Sequence, residues 1–396
     1  MKNQSESRIP PIFHEMKNRS EFHDVDANSS HFLFHSQNMG SYAIKKFEEK
    51  IRNLREYSKE KYNPKSYVSC WSEKDVIDNE IVDAFVIILR TKGCAWALKS
   101  GCSMCGYIND AMLENVSDED LFFQFSEAMK KFNDQKIVKI FTSGSFLDKN
   151  EVSEVMQEKI CEILEKKTRK VIVESRPEFV NKEKLKKLKK LCALEIAVGL
   201  ESANDRVLEY SINKGFALKD YLRAAEIIKD ICSLKTYILL KPPFLTEKEG
   251  IKDAINTVKI AGEYSSTISL NPVNIQKNTF VEFLWKRNEY RTPWLWSVAE
   301  VLKKSKKLTD AHLMCSPTGG GTRRGAHNCG KCDKKILSAI QNFSLTQNLS
   351  VFDNLYCECK EEWLDMLELE GFVTEFLTEK PKVFPKILRK TPLVFS

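Results

Sequence analysis

Between residues 81 and 275, six short apolar runs rich in β-branched residues alternate with longer charged, amphipathic stretches, and few folds accommodate that pattern. The runs are Ile81 to Leu89, Lys136 to Phe141, Lys170 to Val173, Leu194 to Gly199, Thr236 to Leu240 and Thr267 to Leu270. Helix-start signals lie between them: Ser117 with Asp120, Asn204 ahead of Arg206-Val207-Leu208, and Thr246 with Glu249 ahead of Ile251. Runs with so little polar alternation suit strands covered on both faces, and strands separated by helices imply parallel pairing. The expected fold class is α/β, a partial (β/α)6 barrel over 81–275, with a doubly wound sheet as the alternative. Both architectures place chemistry at the carboxyl ends of the strands. Polar residues gather there: Thr142-Ser143-Gly144-Ser145, Glu174-Ser175-Arg176, Gly199-Leu200-Glu201-Ser202, Lys241 and Asn271.

The flanks read differently. Residues 1–80 are polar, with one helix expected where Ile44, Phe47, Ile51 and Leu54 recur at helical spacing, and are taken as an N-terminal extension. Residues 276–396 begin with an aromatic stretch and end in a basic, proline-punctuated tail, with a Gly- and Cys-rich segment between. They are taken as a small C-terminal metal-binding domain. Across 396 residues, 42% hydrophobic content can fill real cores, which excludes a disordered tail protein. Lys and Arg outnumber Asp and Glu by 62 to 55, a mild excess compatible with an anionic partner. The longest apolar run, Ala84 to Leu89, falls far short of the roughly 18 residues of a membrane span, so no membrane partner is expected. The 12 cysteines are too sparse for a disulfide scaffold, and no signal-peptide core opens the chain. A reducing, cytoplasmic setting is expected, with another role for the thiols.

One such role lies directly after the first expected strand. Cys94, Cys102 and Cys105 fall within twelve residues on a single loop, in a C-x7-C-x2-C spacing. Structural zinc prefers four ligands, and no fourth Cys or His lies nearby; three local thiolates suit a [4Fe-4S] cluster with one iron left for an exogenous ligand.

These residues resemble the radical S-adenosylmethionine (SAM) superfamily, whose cysteine loop follows the first strand of a partial β/α barrel, most often as C-x3-C-x2-C. The resemblance implies that SAM binds the open iron, with Met104 where that superfamily often has an aromatic residue near the adenine. It implies that Ser143 and Gly144 form the turn facing the SAM amino group. Glu174 and Arg176 would meet the ribose and the carboxylate, and Glu201 would face SAM or substrate. Glu-Ser-Arg-Pro, Val-Gly-Leu-Glu-Ser, Ile212-Asn213-Lys214-Gly215 and Leu239-Leu240-Lys241-Pro242-Pro243 are similar to the branch holding the Elongator catalytic subunit. The wide cysteine loop and Arg324-Gly325-Ala326-His327-Asn328-Cys329-Gly330-Lys331-Cys332-Asp333 resemble the archaeal radical SAM subunits of archaeosine synthase, from about residue 80 to about 360. That family implies cleavage of the lysine C–N bond of a lysine-modified 7-deazaguanine nucleotide in the tRNA D-loop. It also implies a lysine-transferring partner subunit and a reductant.

A second thiol group comprises Cys315, Cys329, Cys332, Cys357 and Cys359, with His327 close by. Structural zinc is the economical reading, held by Cys315, Cys329, Cys332 and one of Cys357 or Cys359; a second iron-sulfur cluster or free thiols are the alternatives. Cys70, Cys161, Cys192 and Cys232 are expected in the core. The lysines from Lys182 to Lys190 read as the wet face of an outer helix. Arg323, Arg324, Lys303, Lys304, Lys306, Lys307 and the tail residues Lys382, Lys386, Arg389 and Lys390 are candidate RNA contacts. Trp285, Trp294 and Trp296 can either stack on bases or pack internally. Rival functions are a methylthiotransferase, which expects three more N-terminal cysteines, an Elongator-like acetyltransferase, and a zinc-stabilised RNA-binding protein without catalysis.

Overall fold

A computed structural model describes residues 31–55 and 62–373; the tail candidates Lys382, Lys386, Arg389 and Lys390 lie outside them. The chain divides into two compact units, Met1–Lys46 and Phe47–Ser396. The first is described only through the opening of helix α1 (His31–Leu54), and everything below concerns the second.

Eight strands form one curled half-barrel sheet in sequence order: β1 (Ser69–Ile77), β2 (Glu80–Ile88), β3 (Ile137–Phe141), β4 (Lys170–Ser175), β5 (Leu194–Glu201), β6 (Ser233–Leu240), β7 (Thr267–Pro272) and β8 (His312–Met314). The hairpin β1–β2 is antiparallel and every later pair is parallel. The six strands expected from the sequence are β2 to β7. Strand β1, from before residue 81, and β8, from beyond 275, add one edge each. The edge strand β1 leaves Trp71, Ser72 and Lys74 exposed, and β8 has only three residues, so neither carries the apolar run that marks a doubly covered strand.

The connecting helices follow their start signals. Ser117 caps α3 (Asp118–Met129) by accepting from the Asp120 amide. Thr246 and Glu249 form a reciprocal capping box on α7 (Glu247–Ala261). Asn204 instead opens a wide π-helical turn, Val207–Ile212, which later meets the cysteine loop. In α5 (Lys182–Leu191), Leu185 and Leu188 are buried while Lys182, Lys186, Lys187, Lys189 and Lys190 stand in solvent, as the spacing of the leucines requires. One apolar core lies between sheet and helices, with Phe85, Ile87, Val138, Ile140, Val173 and Val198 facing α3 (Asp118–Met129), α4 (Glu154–Glu165), α6 (Leu218–Lys229) and α9 (Leu295–Ser305). Cys161 and Cys192 are buried in it and Cys70 and Cys232 pack against it.

The opposite face of the sheet is mixed. A small apolar layer, Val82, Ala84, Ile137, Ile172 and Ala197, lies beside an ion cluster in which Lys139 is gripped by Glu73 and Asp75 at 2.5 Å each. Burial alone would raise the Asp75 carboxyl, but Lys139 and Lys235 outweigh it and hold it at about 2. Among the described residues, no helix is long and apolar enough to cross a membrane.

Candidate active site and second cysteine cluster

The three-cysteine loop leaves β2 through Thr91, and Gly93 turns it at φ +96°, where a Cβ would strike Ile108 and Ala111. Cys94 then starts the one-turn helix α2 (Ala95–Lys99), which accounts for the wide spacing to Cys102: the extra residues form this turn. Three segments hold the loop in place: the end of α1, residues 211–213 and Gln276. Arg55, at the end of α1, donates to the carbonyls of Ala97 (2.6 Å) and Cys102 (3.2 Å). Asn213, itself at φ +55°, donates to Ser100 Oγ (2.8 Å) and Gly101 O (2.9 Å) and accepts from Trp96 Nε1 (2.8 Å). Ser103 bonds the carbonyls of Ser211 and Ile212 on the π-helical turn. On the far side, Gln276 Oε1 accepts from the Gly106 amide at 2.5 Å.

The loop's three thiols feel one another electrostatically. Burial pushes Cys94 and Cys105 up, and Arg176 opposes this at Cys94. Each candidate residue at a strand end has a definite place. At Gly144, after β3, a Cβ would come within 2.6 Å of Cys94 Cα, so only glycine lets this turn lie against the loop. The Gly144 and Ser145 amides are spent on Thr142 Oγ1 and Glu151 Oε2, so carbonyl oxygens are what the turn can offer an ammonium group; Ser143 is buried within it. Arg176 is buried, bonded to Glu178 and to the Lys214 carbonyl, with its charge felt by Cys94 and Cys102. Glu174 pairs with Tyr237, and burial lifts its carboxyl to about 7. Glu201, at φ +70°, bonds Lys214 Nζ at 2.9 Å, and a Cβ at Gly199 would press on both side chains. Met104 packs against the apolar cluster that holds Val207, Ile212 and Phe280.

Three participants were not assigned roles from the sequence. Glu151 accepts from Thr91 Oγ1 (2.5 Å) and Ser145 N (2.6 Å), tying the ends of β2 and β3; burial raises it to about 7. Lys214 brings a second cation to the thiols, and Arg55 a third. The arrangement fits a thiolate-held iron-sulfur cluster and SAM: three thiols on one loop near enough to feel one another's charge, a side-chain-free turn against the first of them, and cations to offset that charge.

The second cluster is built from two helix starts. Cys329 and Cys332 precede α10 (Asp333–Thr346), Cys359 opens α11 (Cys359–Val373) with Cys357 just before it, and their four sulfurs lie within 4.8 Å of one another. Gly330, at φ +88°, makes the knuckle, and Asp333 accepts from the amides of Asn328 and Gly330. Trp296 Nε1 and Asn328 Nδ2 donate to Cys359 and Cys332 at 3.4 and 3.3 Å, bonds that favour the thiolate form. The four-sulfur group thus uses both Cys357 and Cys359. Cys315 is not in it: that residue follows β8 directly and is buried in the core, its amide on Ser344 Oγ. His327 is also outside, its Nδ1 2.9 Å from the Gly325 carbonyl and 3.1 Å from Thr292 Oγ1. Trp296 is buried in the core, Trp294 packs against it, and Trp285 lies half-covered beside Arg324.

Known proteins are similar to this chain over most of its length. Residues 88–258 match the radical SAM superfamily. Archaeosine synthase subunit beta of Methanosarcina acetivorans is 39% identical over 332 residues, covering 81% of this chain and 96% of that protein. The protein of the same name from Thermococcus kodakarensis is 40% identical over 310 residues, 75% and 96% of the two chains. A solved structure of a queuine lyase from Clostridium spiroforme, bound to SAM and queuine, aligns over 52% of this chain and 81% of its own, with 22% identity and a TM-score of 0.39. The chain belongs to the radical SAM superfamily, in the family of archaeosine synthase subunit beta.

Proposed function

We propose that this chain is a radical SAM lyase that breaks the lysine C–N bond of a lysine-modified 7-deazaguanine nucleotide in the tRNA D-loop, leaving the formamidine of archaeosine on the base. The carrying observation is the three-thiol loop, braced by three segments and set near the charges of Arg176 and Lys214, in a chain with 39% identity to an archaeosine synthase subunit. When bound, the cluster and SAM supply a carbon-centred radical able to abstract a hydrogen atom, here from the lysine carbon next to the departing nitrogen.

The protein's own part is binding, orientation and exclusion of water. Cys94, Cys102 and Cys105 ligate the cluster. Carbonyls of the Ser143-Gly144 turn receive the SAM ammonium, and Arg176 its carboxylate. Met104 gives the adenine an apolar wall. Glu174, near 7 and able to accept or donate, serves the ribose hydroxyls, while Lys214 neutralises Glu201 at the pocket edge.

At the second cluster we infer one zinc ion. Tetrahedral Zn–S bonds of about 2.3 Å set sulfurs about 3.8 Å apart, and the shortest pairs, Cys329–Cys357 and Cys332–Cys359, are 3.6 Å. A multi-iron cluster would spread its thiolates wider. The enzyme acts in the cytoplasm with a reductant and a lysine-transferring partner subunit, which supplies the modified tRNA. Anaerobic reconstitution followed by incubation with SAM, reductant and lysine-modified tRNA is expected to yield 5′-deoxyadenosine and archaeosine together. 5′-Deoxyadenosine without any archaeosine would refute the lyase assignment, and neither product would refute the radical one.

A further inference from the structure

At the pocket's outer edge, the segment from Ile275 to α8 (Phe280–Lys286) clasps the cysteine loop. Gln276 takes the Gly106 amide, the Lys277 carbonyl takes Asn109 Nδ2, and the Val281 amide donates to Ser103 O. The knuckle loop joins this segment at one residue. Arg324 exchanges backbone and side-chain bonds with Ile275 and pairs with Glu282 at 2.7 Å.

The combined rim has an unusual composition for an ordinary solvated surface. Six cations, Lys50, Lys277, Lys286, Arg287, Arg323 and Arg324, face two carboxylates there: buried Glu282 is shared by Lys286 (3.3 Å) and Arg324 (2.7 Å), and Glu289 pairs with Arg287 (2.7 Å), so positive charge remains in excess. Aromatic faces are interleaved with these cations: Lys50 lies 4.1 Å and Arg287 5.4 Å from the Phe283 ring centre, and Arg324 5.0 Å from Trp285. Tyr107, two residues beyond Cys105, is 56% exposed, and Phe244, packed against Phe280, is 44% exposed. Both side chains are anchored in the fold, Phe244 on Phe47 and Phe280 and the Tyr107 hydroxyl, buried, on Gln276, yet each leaves part of its ring in solvent. Cations spaced among ring faces are what an RNA loop requires: phosphates need the charges, and unstacked bases need flat apolar surfaces.

We propose that this rim, formed by α8 and the Arg323-Arg324 loop, is the docking surface for tRNA, delivering an unstacked nucleotide past Tyr107 to the cysteine loop. The placement rests on the tRNA reading above and adds where the RNA lies. It also gives the four-cysteine knuckle a purpose, since the knuckle follows directly on the loop that carries Arg323 and Arg324.

The test measures binding of the full chain to tRNA transcript across a salt series, comparing K286E/R287E with K186E/K187E on α5, an equal charge change, and with the milder K286Q/R287Q. All variants are first matched to the parent in melting temperature. The expected result is at least tenfold weaker binding for K286E/R287E, a smaller loss for K286Q/R287Q, and less than twofold change for the α5 pair. The slope of log affinity against log salt should fall by about 1.5 for the rim pair, at roughly 0.7–0.9 per lost phosphate contact. Equal losses in the rim and α5 pairs would overturn the placement while leaving the tRNA reading intact. So would an unchanged tRNA affinity in a rim variant that no longer associates with the partner subunit. No salt-dependent tRNA binding by the parent chain would overturn both.

Discussion

The chain holds two cysteine groups that differ in every respect that matters for chemistry. The first offers three thiols from one loop, set among Arg176, Lys214 and Arg55, at the carboxyl ends of parallel strands. The second offers four from two helix starts, with N–H donors from Trp296 and Asn328. Three ligands leave a coordination position for a substrate, and four close the shell. The surroundings follow the same logic. The open site is edged by polar groups able to hold a charged ligand, whereas at the second the Asn328 and Gly330 amides are tied to Asp333, which fixes the knuckle itself. On the proposed function, one group reacts and the other holds.

Crossing the two groups should separate these roles. The largest expected effect is on activity: C94A, C102A or C105A should each reduce 5′-deoxyadenosine formation by at least about a thousandfold while shifting the melting temperature by only a few degrees, as read by product chromatography and calorimetry. The reverse is expected for C332S and C359S, which should release the metal and cost several kcal/mol of stability, because a structural metal's binding energy is folding energy. Metal analysis with denaturant melts checks this, and iron retained at the first site would separate the two clusters directly.

A smaller effect should follow from G144A. Its new Cβ falls 2.6 Å from Cys94 Cα, so the turn must move and cluster and SAM positioning should suffer about a hundredfold in rate. N213A removes two donors to the cysteine loop, a loss of about 1–3 kcal/mol felt locally, and should speed loss of iron under oxygen. The smallest effect isolates the frame that both groups share. Asp75, held at about 2 against an ordinary 3.8, contributes stability that is complete above pH 4 and is lost as the pH falls toward 2. At 1.36 kcal/mol per unit that is about 2 kcal/mol. Acid melts of metal-free protein should show this step and D75N should lack it.

The difference between the groups also marks how far the sequence can be read. The open site was legible because its thiols, and the strand ends bearing Ser143, Gly144, Glu174, Arg176 and Glu201, follow local runs that announce themselves. Its supports were not: Arg55, Asn213 and Lys214 reach the loop from 47 residues before Cys102 or over 100 after it, and no periodicity encodes such a contact. At the closed site Cys329 and Cys332 form a recognisable knuckle, while the choice among Cys315, Cys357 and Cys359 depended on β8 entering the sheet. That three-residue strand carries Cys315 into the core, away from the other four. Likewise β1 is half-polar because it is an edge, so the text before residue 81 gave no sign of a strand.

The most direct test of the account is the electron paramagnetic resonance spectrum of the anaerobically reconstituted, reduced protein with and without SAM. The expected result is one cluster signal per chain that shifts when SAM is added, persists in C332S and vanishes in C94A. A signal that ignores SAM, or that survives C94A and disappears in C332S, would contradict the assignment of the two cysteine groups.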